Sequence, residues 1–206
     1  MPVYPKMERD FYLRGADIVA PELLGKLLVH RTAAGLTAGM IVEAEAYLGP
    51  EDDGAHSYGG RRTERTAVQY GPGGYSYVFS IYGMHFCFNA VCAQEGKPEV
   101  VLIRALEPVE GISLMEQRRK GQNRIGLCNG PGKLCAALGI TKAQYGLDLC
   151  GDELYIAEYR QISKEKIRSS PRINIDYAEK YRDCPWRYYI GDSPYVSKVP
   201  KRYRGE

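Results

Sequence analysis

Residues 41–58 (IVEAEAYLGPEDDGAHSY) concentrate side chains able to do acid–base chemistry. Glu43, Glu45 and Tyr47 alternate along a strand-like run, so they share one face, while Val42, Ala44 and Ala46 share the other. Gly49 and Pro50 end the run, and an acidic loop over 51–55 leads to His56. A fixed strand followed by a loop that returns a histidine could assemble a pocket. Two carboxylates are the equipment of sugar hydrolysis, one as acid and one as base or nucleophile. A single ionised glutamate is enough to activate water when the leaving group needs no proton. Taken alone, the stretch is better read as a solvated strand face followed by an acidic surface loop.

A second observation shifts that balance. Residues 100–106 (VVLIRAL) read as a nearly continuous apolar strand, buried on both faces, with Arg104 inside it. A buried guanidinium without a counter-charge is very costly, so a carboxylate should lie against it. Glu43 and Glu45 are the candidates, either as a plain structural ion pair or as a pair that keeps one carboxylate ionised for base chemistry.

The elements that must position these groups follow from the local pattern. Asp17 is expected to cap a short helix that stops at Gly25. Leu27, Val29 and Arg31 alternate into a turn at 33–35, and the chain returns as the strand holding Glu45, a hairpin signal. Residues 58–74 combine dense Gly and Pro with Arg61, Arg62 and Arg65. That reads as a long loop, either solvated or holding phosphates. Residues 75–91 (YSYVFSIYGMHFCFNAV) form a second hairpin, with Tyr82-Gly83 where a tight turn or bulge falls. An aromatic at that tip either covers the end of the core or is free to wedge between base pairs. Pro108 is expected to end the strand of Arg104. A helix over 111–120 and another opened by residues 129–133 (NGPGK), with Gly139 as stop, come next. The second offers a helix N-terminus and Lys133 to an anion, though it lacks Walker spacing. Residues 163–206 read as short strands and turns with a disordered basic tail, KRYRGE.

Composition bounds the rest. The 206 residues suit one domain, and 44% hydrophobic content suffices for a core. No apolar run approaches a membrane span and the start lacks a signal-peptide stretch, so the expectation is a soluble, cytoplasmic protein, on the nucleoid in a bacterium or nuclear in a eukaryote. The six cysteines form no CxxC pair and read as buried free thiols, with zinc binding the weaker alternative. Net charge is only +3, but residues 1–103 carry −3 and residues 104–206 carry +6. A basic C-terminal half fits a polyanion partner or simply a solvated surface. Seventeen tyrosines suit wet interfaces and base stacking.

Several of these segments together resemble one family. The run IVEAEAYLGPEDDGAHSYGGRRT, the hairpin YVFSIYGMHFCFN, RALEPVEG, LCNGPGKLC, SPRINIDYA and SPYVSK, spread over about residues 11–198, are similar to the 3-methyladenine (alkyladenine) DNA glycosylases. The resemblance implies a mixed α+β single domain around a curved, mainly antiparallel sheet, with a protruding β-hairpin and peripheral helices. Residues 1–10 would form an N-terminal arm and 199–206 a basic tail. It implies a monomer that needs no cofactor and no metal, acting on double-stranded DNA with damaged purines. The activity implied is hydrolysis of the N-glycosidic bond of alkylated or deaminated purines flipped from the duplex, of the 3-methyladenine, 7-methylguanine and hypoxanthine type. Matched residue by residue, Glu45 is the base that activates water and Arg104 positions it. Tyr47, His56 and Phe79 hold the extruded base, and Asn89 contacts its edge. Tyr82 fills the gap in the duplex, and Arg61, Thr63, Arg65, Met84 and Lys133 contact the DNA. Two positions depart from the family pattern. Phe79 stands where a tyrosine is expected, and His85 where another aromatic is frequent.

Two other functions fit parts of the chain. A non-catalytic nucleic-acid-binding module would use the arginine loop alone, and the family fold also resembles the C-terminal domain of methionyl-tRNA formyltransferase. A hydrolase of free nucleosides would leave the basic loop and the hairpin-tip aromatic without a purpose. Glu43 reads as a structural support rather than a second catalyst.

Overall fold

The computed structural model describes residues 4–197. The tail KRYRGE lies outside the described residues. The chain begins with two short helices, α1 (Arg9–Tyr12) and α2 (Ala16–Glu22). Strands β1 (Leu27–Thr32) and β2 (Gly35–Leu48) then form the first hairpin, in register from Leu27 opposite Met40 to Thr32 opposite Gly35. Strands β3 (Ser76–Ile81) and β4 (His85–Cys92) form the second, and β5 (Glu99–Glu110) is the buried strand of Arg104. Helices α3 (Ile112–Arg118) and α4 (Pro131–Leu138) follow. Three four-residue strands close the sequence: β6 (Leu154–Ala157), β7 (Ile167–Ser170) and β8 (Arg187–Ile190).

All strand pairs are antiparallel, in the order β3-β4-β5-β2-β1-β6. The expected curved sheet is not what forms. The sheet is open, with β3 at one end of the path and β6 at the other, and these two do not pair. It forks instead of curling. One edge of β2 pairs β1 as far as Met40, then β8 over Glu43–Glu45, while its other edge follows β5. The fork falls at a break in register. Val42 is the extra residue on β2 and Arg104 the extra residue on β5, two offsetting bulges that restore the pairing at Ala44 opposite Ile103. Bulges bend and re-aim strands next to functional sites. Here they bring the two glutamates and the arginine to one side.

Alternation divides the sheet into two faces. Val42, Ala44 and Ala46 of β2, with Val101, Ile103 and Ala105 of β5, enter the main core beside Leu27, Leu28, Phe88 and Leu106. Helix α4 covers β4 and β5 with Leu134, Ala137 and Leu138, and α2 packs on β2. On the opposite face Tyr77, Val91 and Val100 form a smaller cluster with Tyr47, Phe79 and Tyr145 against it. That second face carries the polar groups discussed below.

Two local expectations are corrected. Asp17 does not cap α2: Gly15 holds that position and Asp17 sits in the first turn. The amide of Ala16 donates instead to the buried carboxylate of Glu99, at 2.7 Å. Nor does Pro108 end its strand. It pairs with Gly39 where Val109 is bulged, a position at which a missing N–H is tolerated. The C-terminus of α4 behaves as expected, with Gly139 at φ 75° and its last carbonyl, Leu138 O, bonded by His30 Nδ1 at 2.8 Å.

Candidate active site

Glu43 and Glu45 are both fully buried, on the same side of β2, and Arg104 joins them. Its Nε donates to Glu43 Oε1 at 3.1 Å and its terminal nitrogen to Glu45 Oε2 at 3.2 Å. Burial pulls the Arg104 pKa down, but the two carboxylates outweigh it and hold the guanidinium above its ordinary value. The two glutamates differ in what else they accept. Glu43 also takes Arg187 Nε at 2.7 Å, the Ser197 hydroxyl at 2.8 Å and the Ser197 amide at 2.7 Å. Three of these four donors share Glu43 Oε1, and the Ser197 amide alone reaches Oε2. Glu45 takes Arg104, the Tyr47 hydroxyl at 2.9 Å and the Ile173 amide at 2.8 Å, which leaves one position on Oε1 among the described residues. Burial and the charge of Glu45 raise the Tyr47 pKa well above its usual value, so Tyr47 remains a phenol that donates.

The groups that hold Glu45 also line a cavity of about 400 Å³, a size suited to a small planar ligand. Tyr47, Arg104 and Ile173 form part of its wall, together with His56, Tyr77, Phe79 and Asn89. Glu45 itself lies just behind that wall. His56 Nε2 receives a hydrogen bond from Arg65 at 3.2 Å, so that nitrogen is the acceptor and Nδ1 carries the proton shared with the Tyr77 hydroxyl at 2.8 Å. Burial, and then the Arg65 charge, lower the His56 pKa to about 4, so the ring is neutral at pH 7. His56 meets Phe79 edge-on, with centroids 4.7 Å apart. Asn89 spends its amide nitrogen on Tyr77 O at 2.9 Å, which leaves its carbonyl oxygen for other contacts.

The remaining predicted residues surround this cavity. Arg61, Thr63 and Arg65 line an adjoining groove that shares His56 and Tyr177 with it. The loop between them is set by Thr63 and Thr66, whose backbone and hydroxyl groups bond each other. At the hairpin tip Tyr82 is 89% exposed and Met84 75%. Tyr82 and Gly83 both have positive φ, 53° and 68°, and the turn closes with Met84 N–H bonded to Ile81 O. A tyrosine in the left-handed region is strained, and nothing in the sheet covers its ring. The start of α4 abuts the same hairpin: a Cβ added at Gly132 would lie 3.2 Å from His85 Cβ. Lys133 follows there, bonded to Asn129 at 2.9 Å, and Pro131 lines the cavity.

Comparison with known proteins gives the chain a family. Residues 10–194 match the family model for methylpurine-DNA glycosylase. The chain is 54% identical over 200 residues to a protein of Desulfitobacterium hafniense (strain Y51), covering 93% of this chain and 98% of that protein. It is 50% identical over 205 residues to one from Clostridium acetobutylicum, covering 95% and 99%. Both relatives are described provisionally as 3-methyladenine DNA glycosylases. The chain belongs to the methylpurine-DNA glycosylase family. Its place is therefore among DNA-binding proteins of DNA repair.

In this member of the family the sequence reading missed the outer supports of the site. Arg172 is fully buried, paired with Asp52 (2.7 Å between its second terminal nitrogen and Oδ1) and bonded to Ala46 O at 3.1 Å. Its guanidinium lies 4.5 Å from the Tyr47 ring centroid and 5.0 Å from that of Trp186. That pair pins the segment whose next amide, Ile173 N–H, holds Glu45. Around the site three buried carboxylates (Glu43, Glu45, Asp52) thus face three buried guanidiniums (Arg104, Arg172, Arg187), which keeps the interior close to neutral. The one available signal was the arginine and aromatic content of residues 163–206.

Proposed function

We propose that this chain is a monofunctional glycosylase that takes an alkylated purine from duplex DNA into the cavity and hydrolyses its N-glycosidic bond with a water held by Glu45. The observation that carries the reading is the contrast between the two buried glutamates: Tyr47, Arg104 and Ile173, which hold Glu45, all line the cavity, whereas Arg187 and Ser197, which supply three of the four bonds to Glu43, do not. In the reaction the water oxygen bonds to C1′ of the sugar. The C1′–N bond breaks with its electron pair going to the base, and the water proton passes to Glu45. An alkylated base is cationic and leaves neutral, so it needs no acid. Arg104 holds the Glu45 carboxylate in place through its 3.2 Å bond, as a positioning residue.

The base must leave the stack before water reaches its sugar carbon. Tyr82 fills the gap, and Tyr47, His56 and Phe79 supply ring faces and edges for the extruded purine. Asn89 reads its edge through the free carbonyl oxygen. Arg61, Thr63, Arg65, Met84 and Lys133 contact the flanking strand. No lysine lines the cavity among the described residues, so no Schiff base and no strand cleavage are expected. His56, neutral and already donating to Tyr77, is poorly suited to protonate a leaving base, which favours cationic lesions over hypoxanthine. The protein works as a monomer on double-stranded DNA.

The test is product analysis on matched duplexes carrying 7-methylguanine, 3-methyladenine, hypoxanthine or no lesion. Release of the methylated bases, slower release of hypoxanthine and no cut strand are expected. Salt-dependent binding indifferent to lesions, with no free base produced, would make the chain a binding module instead.

A further inference from the structure

Phe79, one of the rings assigned to the extruded purine, already carries a cation. The Arg65 guanidinium carbon lies 4.8 Å from the Phe79 ring centroid, and a terminal nitrogen of the same side chain bonds His56 Nε2 at 3.2 Å. Arg65 therefore touches both aromatic partners assigned to the base. It also lines both the cavity and the adjoining groove of about 520 Å³ that carries Arg61 and Thr63. Its side chain is exposed, so it can leave the cavity without disturbing the core. An alkylated purine still bonded to its sugar is a cation and competes with the guanidinium for the ring, while a free alkylated base is neutral and is excluded only by the space that Arg65 fills. A phosphate near the groove would offer the guanidinium a better partner than a phenyl ring.

We infer that Arg65 is a gate of the base cavity: in the free protein it packs on the Phe79 ring and blocks His56, and it must swing into the groove, towards DNA phosphate, before a flipped purine can seat. The inference rests on the glycosylase reading above. It gives the empty cavity a reason to disfavour stray free bases, because the gate opens when the duplex is there to receive the arginine. It also makes Arg65 a residue of selectivity as well as of DNA contact.

The experiment is equilibrium binding of free 7-methylguanine to the full chain and to Arg65→Ala, by calorimetry or by Trp186 fluorescence. With the gate removed, the free base should bind about five- to fifty-fold tighter, the range set by one partly exposed cation–π contact and one hydrogen bond. Affinity for lesion-free duplex should fall in the same variant, since a cation is lost. Unchanged or weaker binding of the free base in Arg65→Ala would overturn the gate and leave Arg65 a fixed part of the wall. So would an absence of binding in both proteins. An excision assay on the parent protein separates the two claims. No base released from any lesion duplex refutes the glycosylase reading; excision with no gain in free-base affinity refutes the gate alone.

Discussion

Replacing Glu43 with glutamine should cost stability rather than chemistry. Its carboxylate accepts from Arg104 at 3.1 Å and Arg187 at 2.7 Å, and from the hydroxyl and amide of Ser197 at 2.8 and 2.7 Å, with no exposure to solvent. A hydrogen bond to a charged acceptor contributes about 1.5–3 kcal/mol and a neutral one about 0.5–1.5, so two guanidinium bonds lose about 2–3 kcal/mol together. The new amide nitrogen must also face a donor, Ser197 N–H or a guanidinium, and an unsatisfied buried group adds about 1–3 kcal/mol. The sum, about 4 kcal/mol, lies in the range for a broken buried ion pair, about 3–5. At about 2–4 °C per kcal/mol for a chain of this size, the Tm falls by about 8–16 °C. Glu45→Gln should cost less, about 3 kcal/mol: one guanidinium bond is weakened instead of two, with the same penalty for the new amide nitrogen, which faces the Ile173 N–H, while Arg104 keeps Glu43. Urea denaturation followed by the fluorescence of the single tryptophan, Trp186, measures both variants. Stability of Glu43→Gln within about 1 kcal/mol of the parent, or a larger loss in Glu45→Gln, would refute the division of labour between the two carboxylates.

The His56 pKa of about 4, against 6.5 for a free histidine, means the folded state holds fewer protons than the unfolded chain between those values. Its contribution is present above pH 6.5 and is lost as pH falls towards 4; His56→Gln should flatten stability in that window, and an NMR titration showing the ring at its ordinary value would contradict the site geometry. Tyr82→Gly removes a left-handed tyrosine that costs about 1–2 kcal/mol, offset by about 0.4–1 for glycine in the unfolded chain. The variant should be as stable as the parent or slightly more so, while losing lesion affinity and extrusion; full lesion affinity would count against the wedge.

The parts of the fold and site that were legible in the sequence are those set by local periodicity. The β1–β2 hairpin, the β3–β4 hairpin with Tyr82-Gly83 at its tip, and α4 between Pro131 and Gly139 follow from alternation and turn chemistry over a few residues. Arg104 was legible for an energetic reason, since a cation in an apolar strand requires a carboxylate, and it finds two. Long-range partners were not legible. Asp52 and Arg172, or Glu43 and Ser197, lie far apart in sequence, and no local pattern connects them. The offsetting bulges at Val42 and Arg104 hide within unbroken apolar runs, so the forked, open sheet could not be told from a curved one. Pro108 misled because a proline stops a regular ladder but not a bulged one.

The account stands on Glu45 and the cavity-lining groups that hold it. The most direct measurement is single-turnover release of 7-methylguanine from a duplex pre-bound to Glu45→Gln, with duplex affinity and fold checked on the same sample. Binding and fold should persist, and base release should fall by at least about a hundred-fold, the lower end of what a positioned general base supplies. Release at the parent rate from a folded, duplex-bound Glu45→Gln would contradict the assignment of the water-activating base.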